Sequence, residues 1–362
     1  MQITHSPVAD RYPSLPMRVG FDLSPTLPPH SAGITRAVES TLTALESRGE
    51  LEIVRLLPAQ GMTPRTFRAG HGKRVQDMDL AGIHSFTSAF AWRGPGKRVQ
   101  TIHELPWRHG CQENADWSHR FWASLGTRWA DKVITASSVV ADDLGLPLAE
   151  DNGKLHVIPW GVDDTFCAEP PDNVIDEVLL GTYSLPERPL LLCLGAVRAK
   201  KNLASLLRGV ATLVERKGPT VQVVVTGPDT HDLRTDLGLA QQLGLARFIS
   251  TPGTIEAAHL PGLMRLAALV PVLSQSEGFA LPVLEAHASG TATLTPVGSV
   301  QAQTAGAPGF HCDPADPESV ADGIADALDQ SESRREQLIA QAAPFTWERT
   351  AQGIEQVWKS LS

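Results

Sequence analysis

Short apolar runs punctuate this chain, and most are followed by a polar or glycine-containing turn. The runs are Arg18–Leu23, Leu51–Leu57, Ile83–Phe86, Val99–Ile102, Val133–Ala136 and Leu155–Ile158, then Leu190–Leu194, Val221–Thr226, Phe248–Ile249, Leu266–Leu273 and Thr291–Thr295. Bounded runs of this kind predict strands buried on both faces of a parallel sheet. Between them, Ile34, Val38, Leu42 and Leu45 fall on one helical stripe, as do Leu203, Leu206, Leu207, Val210 and Val214. Strand alternating with helix predicts an α/β fold with doubly wound parallel sheets. In such sheets ligands collect beyond the carboxyl ends of the strands, so residues just after each run are the first candidates for function.

A chain of 362 residues with 42% hydrophobic content builds more than one core, so two domains are expected. The first is predicted over residues 1–165 and the second over 189–345. A proline-rich linker over 166–188, with Pro170, Pro171 and Pro186, joins them, and a last segment follows over 346–362. The first residues, with Pro7, Pro13 and Pro16, read as a loose arm. The net charge of −9 argues against a nucleic-acid partner and places any cationic chemistry at local sites. Cys111, Cys167, Cys193 and Cys312 form no CxxC pair and read as thiols in a reducing, cytoplasmic compartment. No basic-then-apolar leader opens the sequence, and no run approaches the ~18 apolar residues of a membrane span.

The stretch Ser276-Glu-Gly-Phe-Ala-Leu-Pro-Val-Leu-Glu-Ala-His-Ala-Ser-Gly290 joins a strand to a helix and carries the most chemistry. Gly278 suits a tight turn with close backbone approach, Pro282 the first helical turn, and Gly290 the position past the helix end. A helix starting near Leu281 would present free N–H groups and a positive dipole end to an anion such as a diphosphate. Glu277 and Glu285 bracket that site and call for hydroxyl donors, as on a sugar. A plain helix cap with acidic neighbours is the other reading. A second anion site is read from Gly195-Ala-Val-Arg-Ala-Lys-Lys-Asn202, a cationic glycine loop before a helix with Asn202 as N-cap. Surface lysines at a helix start would give the same pattern.

Together these stretches resemble the group 1, family 4 retaining glycosyltransferases. That family carries Glu-Gly-Phe-Gly-Leu-Pro with a second Glu in the same register, and a Gly loop ending in Arg-Lys-Asn. The resemblance implies the GT-B fold: two Rossmann-like domains facing across a cleft, the nucleotide on the second and the acceptor on the first, with a C-terminal helix crossing back. It implies that Glu277 and the backbone of Gly278, Phe279, Ala280 and Leu281 hold the donor sugar, that Glu285 takes the ribose, and that Lys201, helped by Arg198, neutralises the diphosphate. Ala280 stands where the family has its second Gly, and Ala196 where many members have Arg. Thr101-Ile-His-Glu-Leu-Pro106 resembles the family's strand ending in His-Asp, so His103 is expected at the donor sugar; alone it reads as a structural histidine. Ser31-Ala-Gly-Ile-Thr-Arg36 resembles the family's loop beneath the donor phosphates at Gly33 and Arg36, and is otherwise a turn. Val157-Ile-Pro-Trp-Gly-Val-Asp163 and Phe345-Thr-Trp-Glu348 resemble two further segments of the family.

The resemblance implies hexose transfer, mannose from GDP-mannose first and a UDP-hexose second, to a glycan or lipid-linked acceptor in polysaccharide assembly. It needs no cofactor and no metal. A nucleotide-sugar epimerase and a catalytically silent nucleotide-sugar-binding subunit are the readings from other classes. Asp77-Met78-Asp79 is a DxD of the kind that binds metal in a different glycosyltransferase fold, but here it falls in a polar connection. The Trp- and Arg-rich stretch Trp107–Trp129 reads as an amphipathic helix with Trp in the core, and alternatively as a peripheral contact with the inner membrane face.

Overall fold

The computed structural model describes residues 16–26, 32–59, 61–90, 96–113, 115–151, 153–170, 176–218 and 220–361. The expected arm at Pro7 and Pro13 lies outside them. The first half lays down β1 (Met17–Asp22), β2 (Leu51–Leu56), β3 (Gly82–Ser85), β4 (Lys97–Thr101), β5 (Lys132–Thr135) and β6 (Leu155–Val157). The helices among and after them are α1 (Ala32–Arg48), α2 (Pro64–Arg74), α3 (Trp117–Ser124), α4 (Ser138–Leu144) and α5 (Val178–Thr182). The second half lays down β7 (Leu190–Cys193), β8 (Gln222–Thr226), β9 (Ile249–Gly253), β10 (Ala267–Pro271), β11 (Thr293–Pro296) and β12 (Phe310–Cys312). Its helices are α6 (Leu203–Lys217), α7 (His231–Gln242), α8 (Leu260–Leu266), α9 (Leu281–Ala288), α10 (Val300–Ala305), α11 (Pro317–Ala342) and α12 (Trp347–Lys359).

The strands form two parallel sheets, ordered β2-β1-β3-β4-β5-β6 and β12-β11-β10-β7-β8-β9. The strand order reverses between β1 and β3 in one and between β7 and β10 in the other, which opens a crevice at the carboxyl ends of each pair. The apolar middle of β8, Val223 to Val225, is fully buried, and its two polar ends, Gln222 and Thr226, are buried with it. The stripe of α6 packs as expected, with Leu203, Leu206, Leu207, Val210 and Leu213 buried against β7, β8 and α11.

The last helix returns to the first half. Ala351, Ile354, Val357 and Trp358 of α12 share one core with Val19 and Phe21 of β1 and with Val38, Leu42 and Leu45 of α1. Arg48 donates to Glu355 at 2.8 Å and also pairs with Glu348, and Lys359 reaches Glu50 at 2.8 Å. The crossing is fixed by Thr350 Oγ1 on the Pro159 carbonyl (2.8 Å) and Trp347 Nε1 on Asp163 (2.6 Å). A Cβ on Gly161 would stand 2.2 Å from the Trp347 nitrogen, so only glycine permits the two segments to touch.

Two expectations change. The stretch expected as a linker is packed where it is described: Phe166, Leu179 and Leu185 join the core beneath β7 and β10, and Asp176 holds Arg265 of α8 through two bonds of 2.6 and 2.9 Å. Gly33, expected in a loop, lies in the first turn of α1.

Candidate active site

The site forms where the loop after β10 meets the loop after β7. The Gln275 N–H donates to the Lys200 carbonyl (2.8 Å), and Asn202 Nδ2 donates to the Leu273 carbonyl (3.3 Å). These bonds bring Lys201 to Glu277, Nζ to Oε1 at 2.7 Å. Burial alone would push the Glu277 carboxyl up, but the charges of Lys201 and Lys200 and bonds from Lys201 and Ser274 outweigh it and hold the group below its ordinary value. Gly195, Lys201, Ser274 and Pro282 line a small cavity of about 50 Å³ in the crevice between β7 and β10. The expected cation, the glycine bend and the start of α9 therefore converge.

The helix itself runs as read, from Leu281, with Pro282 in its first turn and Gly290 at φ 73° beyond its end. Ala280 adopts the left-handed conformation at φ 66°, the position where a glycine costs nothing and an alanine about 1–2 kcal/mol. Phe279 turns inward, buried beside Phe345 at 5.9 Å between ring centroids, so only its backbone is left to face a ligand. Gly278 has a further reason, not read from the sequence: a Cβ there would lie 1.8 Å from the His103 carbonyl, so glycine lets the second domain touch the first.

His103 lies across the cleft, half-buried and 5.9 Å from the buried ring of Trp160. Its Nε2 meets the Phe86 carbonyl at 2.8 Å, and a carbonyl only accepts, so Nε2 carries the proton. Burial lowers the imidazole below its ordinary value, against the opposing effects of that bond and of Glu104. A neutral ring with its proton on Nε2 keeps Nδ1 as an acceptor, the form that receives a bond from a hydroxyl.

Within the protein both site carboxylates meet cations, beyond the neutral donors expected of a ligand. Glu285, 3% exposed, pairs with Arg36 of α1, which also stands 3.8 Å from Asp163 and 5.5 Å over the Phe166 ring. Lys200, 5% exposed, donates to both oxygens of Glu104 at 3.1 and 3.3 Å, and Arg198 reaches Glu113 at 2.5 Å. Gln303 donates to Ser138. The pairs Arg36–Glu285, Lys200–Glu104, Arg198–Glu113 and Gln303–Ser138 each join one domain to the other. Arg198 is thus engaged by the first domain, leaving Lys201 as the cation of the small cavity. Asn202 holds the N-cap position of α6 at φ 57° without capping it; its oxygen takes the Ser205 hydroxyl at 2.9 Å. Arg36, Lys200 and Glu104 as cross-domain partners were not read from the sequence. The signal available was that a buried acid needs a counter-charge.

Elsewhere, Asp77 and Asp79 lie in a turn after α2, as their polar setting suggested. Among the described residues, no three His, Cys, Asp or Glu side chains cluster as metal ligands, and no helix is long and apolar enough to cross a membrane. Trp122 packs into the core under α3, whereas Trp117 is 77% and Trp129 45% exposed. The four cysteines are free, with burial raising the Cys193 and Cys312 thiols to about 12.

Comparison with known proteins places this geometry among relatives. A family model described as glycosyl transferases group 1 matches residues 183–343, and one described as glycosyltransferase family 4 matches 40–166. A D-inositol 3-phosphate glycosyltransferase of Corynebacterium jeikeium is 25% identical over 74% of this chain and 69% of its own length. That of Nocardia farcinica is 32% identical over 62% of this chain and 51% of its own, so the chain spans about half of that relative. Among solved structures, sucrose-phosphate synthase from Thermosynechococcus elongatus aligns with a TM-score of 0.73 at 18% identity, covering 95% of this chain and 99% of that one. Anabaena Alr3699/HepE in complex with UDP-glucose aligns at 0.71 and 16%, covering 95% and 100%.

Proposed function

The chain belongs to the group 1 glycosyltransferases and has their GT-B fold, and from that premise we propose that it transfers a hexose from a nucleotide-diphosphate sugar to a glycan or lipid-linked acceptor, with retention of configuration. The observation that carries the reading is the Lys201–Glu277 pair at the crevice between β7 and β10, beside the start of α9. A diphosphate lodged there meets the Lys201 ammonium and the N-terminal dipole of α9. As the bond between sugar and phosphate breaks, negative charge grows on the leaving oxygen, and a fixed cation and backbone donors stabilise that charge more than the ground state. Glu277 accepts from the sugar hydroxyls, Glu285 from the ribose once Arg36 yields one of its oxygens, and His103 Nδ1 from a hydroxyl on the sugar's far side.

Glu104, the carboxylate that follows His103, is bound by Lys200 and so held as a domain tie instead of a free nucleophile. A front-face displacement fits this arrangement: the leaving phosphate oxygen takes the acceptor proton as the new glycosidic bond forms. Charge neutralisation is assigned to Lys201 and the α9 amides, a chemistry that asks for no metal.

GDP-mannose is the favoured donor, from the resemblance of Gly195–Asn202 to mannosyltransferase loops, with a UDP-hexose second. The name shared by these relatives favours a second acceptor reading, an inositol phosphate. We assign a peripheral membrane contact to the exposed ridge of Trp117, Leu125 and Trp129.

The test is donor turnover without acceptor. Incubation with GDP-mannose or UDP-glucose should release free sugar slowly, and the matching donor should raise the melting temperature, since ligand at 100 times its Kd adds about 2.7 kcal/mol. Epimerised nucleotide sugar would point to an epimerase instead. Binding without any sugar release would mark a silent subunit.

A further inference from the structure

The His103 ring is pinned at two points. Its Nε2 meets the Phe86 carbonyl at 2.8 Å, and its Cβ is set by the backbone just after β4. A ring pinned there still rolls about the line joining the two points, because the terminal torsion of a histidine is broad. Nδ1 lies off that line, so the roll swings the nitrogen that is left to accept a bond. A further contact beside the ring is needed to fix it.

Trp160, in the segment after β6, makes that contact. The residue is 4% exposed, and its ring stands 5.9 Å from the His103 ring with 35° between planes. Phe86 serves both partners, its carbonyl on His103 and its ring 6.5 Å from the indole. The indole is seated in turn by α12. Thr350 Oγ1 donates to the Pro159 carbonyl at 2.8 Å, the Val162 N–H donates to the Phe345 carbonyl at 3.0 Å, and the Trp347 ring lies 6.5 Å away. Phe279 and Leu281 of the second domain share the same core. Held from before, behind and beside, a large rigid ring limits the roll of its neighbour and excludes water from it.

We propose that Trp160 is a positioning residue for the transfer reaction: seated by α12, it holds the His103 ring in one orientation and keeps it dry, so that Nδ1 stays an acceptor for the donor sugar. The inference rests on reading His103 as a contact of that sugar. The charged and titratable groups around the ring are Glu104, tied to Lys200, and His119 of α3, with His84 stacked on Phe86 at 4.6 Å. Burial is the largest influence and lowers the imidazole; the Phe86 bond and Glu104 oppose it, and His119 adds to it. Replacing the indole by a flexible chain lets the ring roll and admits water. Water favours the charged form, so the imidazole rises towards its ordinary 6.5, and a protonated Nδ1 no longer accepts.

Proton–carbon NMR of the full chain with labelled histidine, titrated without ligand, reads the ring directly, and His103→Gln assigns its signal. Trp160→Met fills much of the space with a flexible chain and no ring, and should raise the His103 midpoint by about one unit, a tenfold gain in proton affinity. Trp160→Phe keeps a ring and should move it by less than about 0.3 unit. Release of free sugar from GDP-mannose or UDP-glucose at pH 7 should fall roughly tenfold in kcat in Trp160→Met, with KM nearly unchanged. A midpoint unmoved in folded Trp160→Met, one moved equally by Trp160→Phe, or a kcat that Trp160→Met keeps and His103→Gln loses would each overturn the proposal and leave Trp160 as core filling. If Trp160→Met does not fold, the wild type decides: cross-relaxation between the His103 and Trp160 ring protons, with the carbon shifts of the Nε2-protonated form, supports the proposal, and their absence overturns it. A midpoint that moves while His103→Gln leaves sugar release unchanged counts against the donor reading of His103 and not against its seating by Trp160.

Discussion

Replacing Lys201 by Met separates what the lysine does for the fold from what it does for the reaction. The pair with Glu277 spans 2.7 Å with side-chain exposures of 28% and 17%. At an effective dielectric near 20 the gross attraction is about 6 kcal/mol, most of it offset by the desolvation of both ions. Breaking a fully buried pair costs about 3–5 kcal/mol; partial exposure here reduces that to about 2. In turnover, the loss of one preorganised donor to the developing charge lowers kcat by roughly 10²–10³, or about 2.7–4 kcal/mol. The double variant Lys201→Met/Glu277→Gln removes the stranded carboxylate, so urea unfolding should show most of the stability restored while turnover stays low. The acid side gives a further check. Glu277 is held below its ordinary 4.5, so the unfolded chain binds more protons there, and the pair's contribution is present above about pH 4.5 and lost as pH falls through the folded value. The stability gap between wild type and Lys201→Met should therefore narrow in acid. The measurements are initial rates of nucleoside diphosphate release at saturating donor and urea midpoints at pH 7 and 4. A Lys201→Met protein within threefold of wild-type kcat, or a stability gap that widens in acid, would refute the reasoning.

Three further outcomes follow from the same structure. Glu104→Ala strands Lys200, 5% exposed, and should lower stability by roughly 3 kcal/mol, with a Glu104→Leu/Lys200→Met pair recovering most of it in urea titrations. His84 and His287 are buried and depressed to about 3 and about 4, so the unfolded chain takes up their protons first: stability is full above 6.5 and falls as pH drops, by up to about 1.4 kcal/mol per unit for each. Replacing both by Gln should flatten urea midpoints between pH 7 and 5, and an unchanged slope would contradict the assignment. The exposed ridge should make the protein co-float with phosphatidylglycerol vesicles, and Trp117→Ser/Trp129→Ser should abolish it; equal flotation would remove the membrane contact from the account.

Local pattern carried the sheets because a buried parallel strand needs an apolar run, and one falls at or beside eleven of the strands, although only Ile249 of the Phe248–Ile249 run lies within the edge strand β9. The exception is β12, three residues with the exposed His311 in the middle, too short and too polar to stand out. The start of α9 was legible because Pro282 and Gly290 act on their own backbone. The cross-domain ties were not. Arg36 with Glu285 and Lys200 with Glu104 join residues far apart in sequence, and nothing local records which cation meets which acid. Gly278 shows a subtler case: the need for glycine was readable, but one reason for it, the His103 carbonyl of the opposite domain, exists only after folding. Asn202 likewise has the residue type of a cap, yet the backbone turns left-handed and its side chain serves Ser205 instead.

The most direct measurement is a structure of the protein bound to its nucleotide-sugar donor. The pyrophosphate should lie between the Gly195 bend and the start of α9, within hydrogen-bond reach of Lys201 Nζ, with Glu277 on the hydroxyls of the sugar. A pyrophosphate bound at the first domain, or one that leaves the Lys201–Glu277 pair untouched, would contradict it.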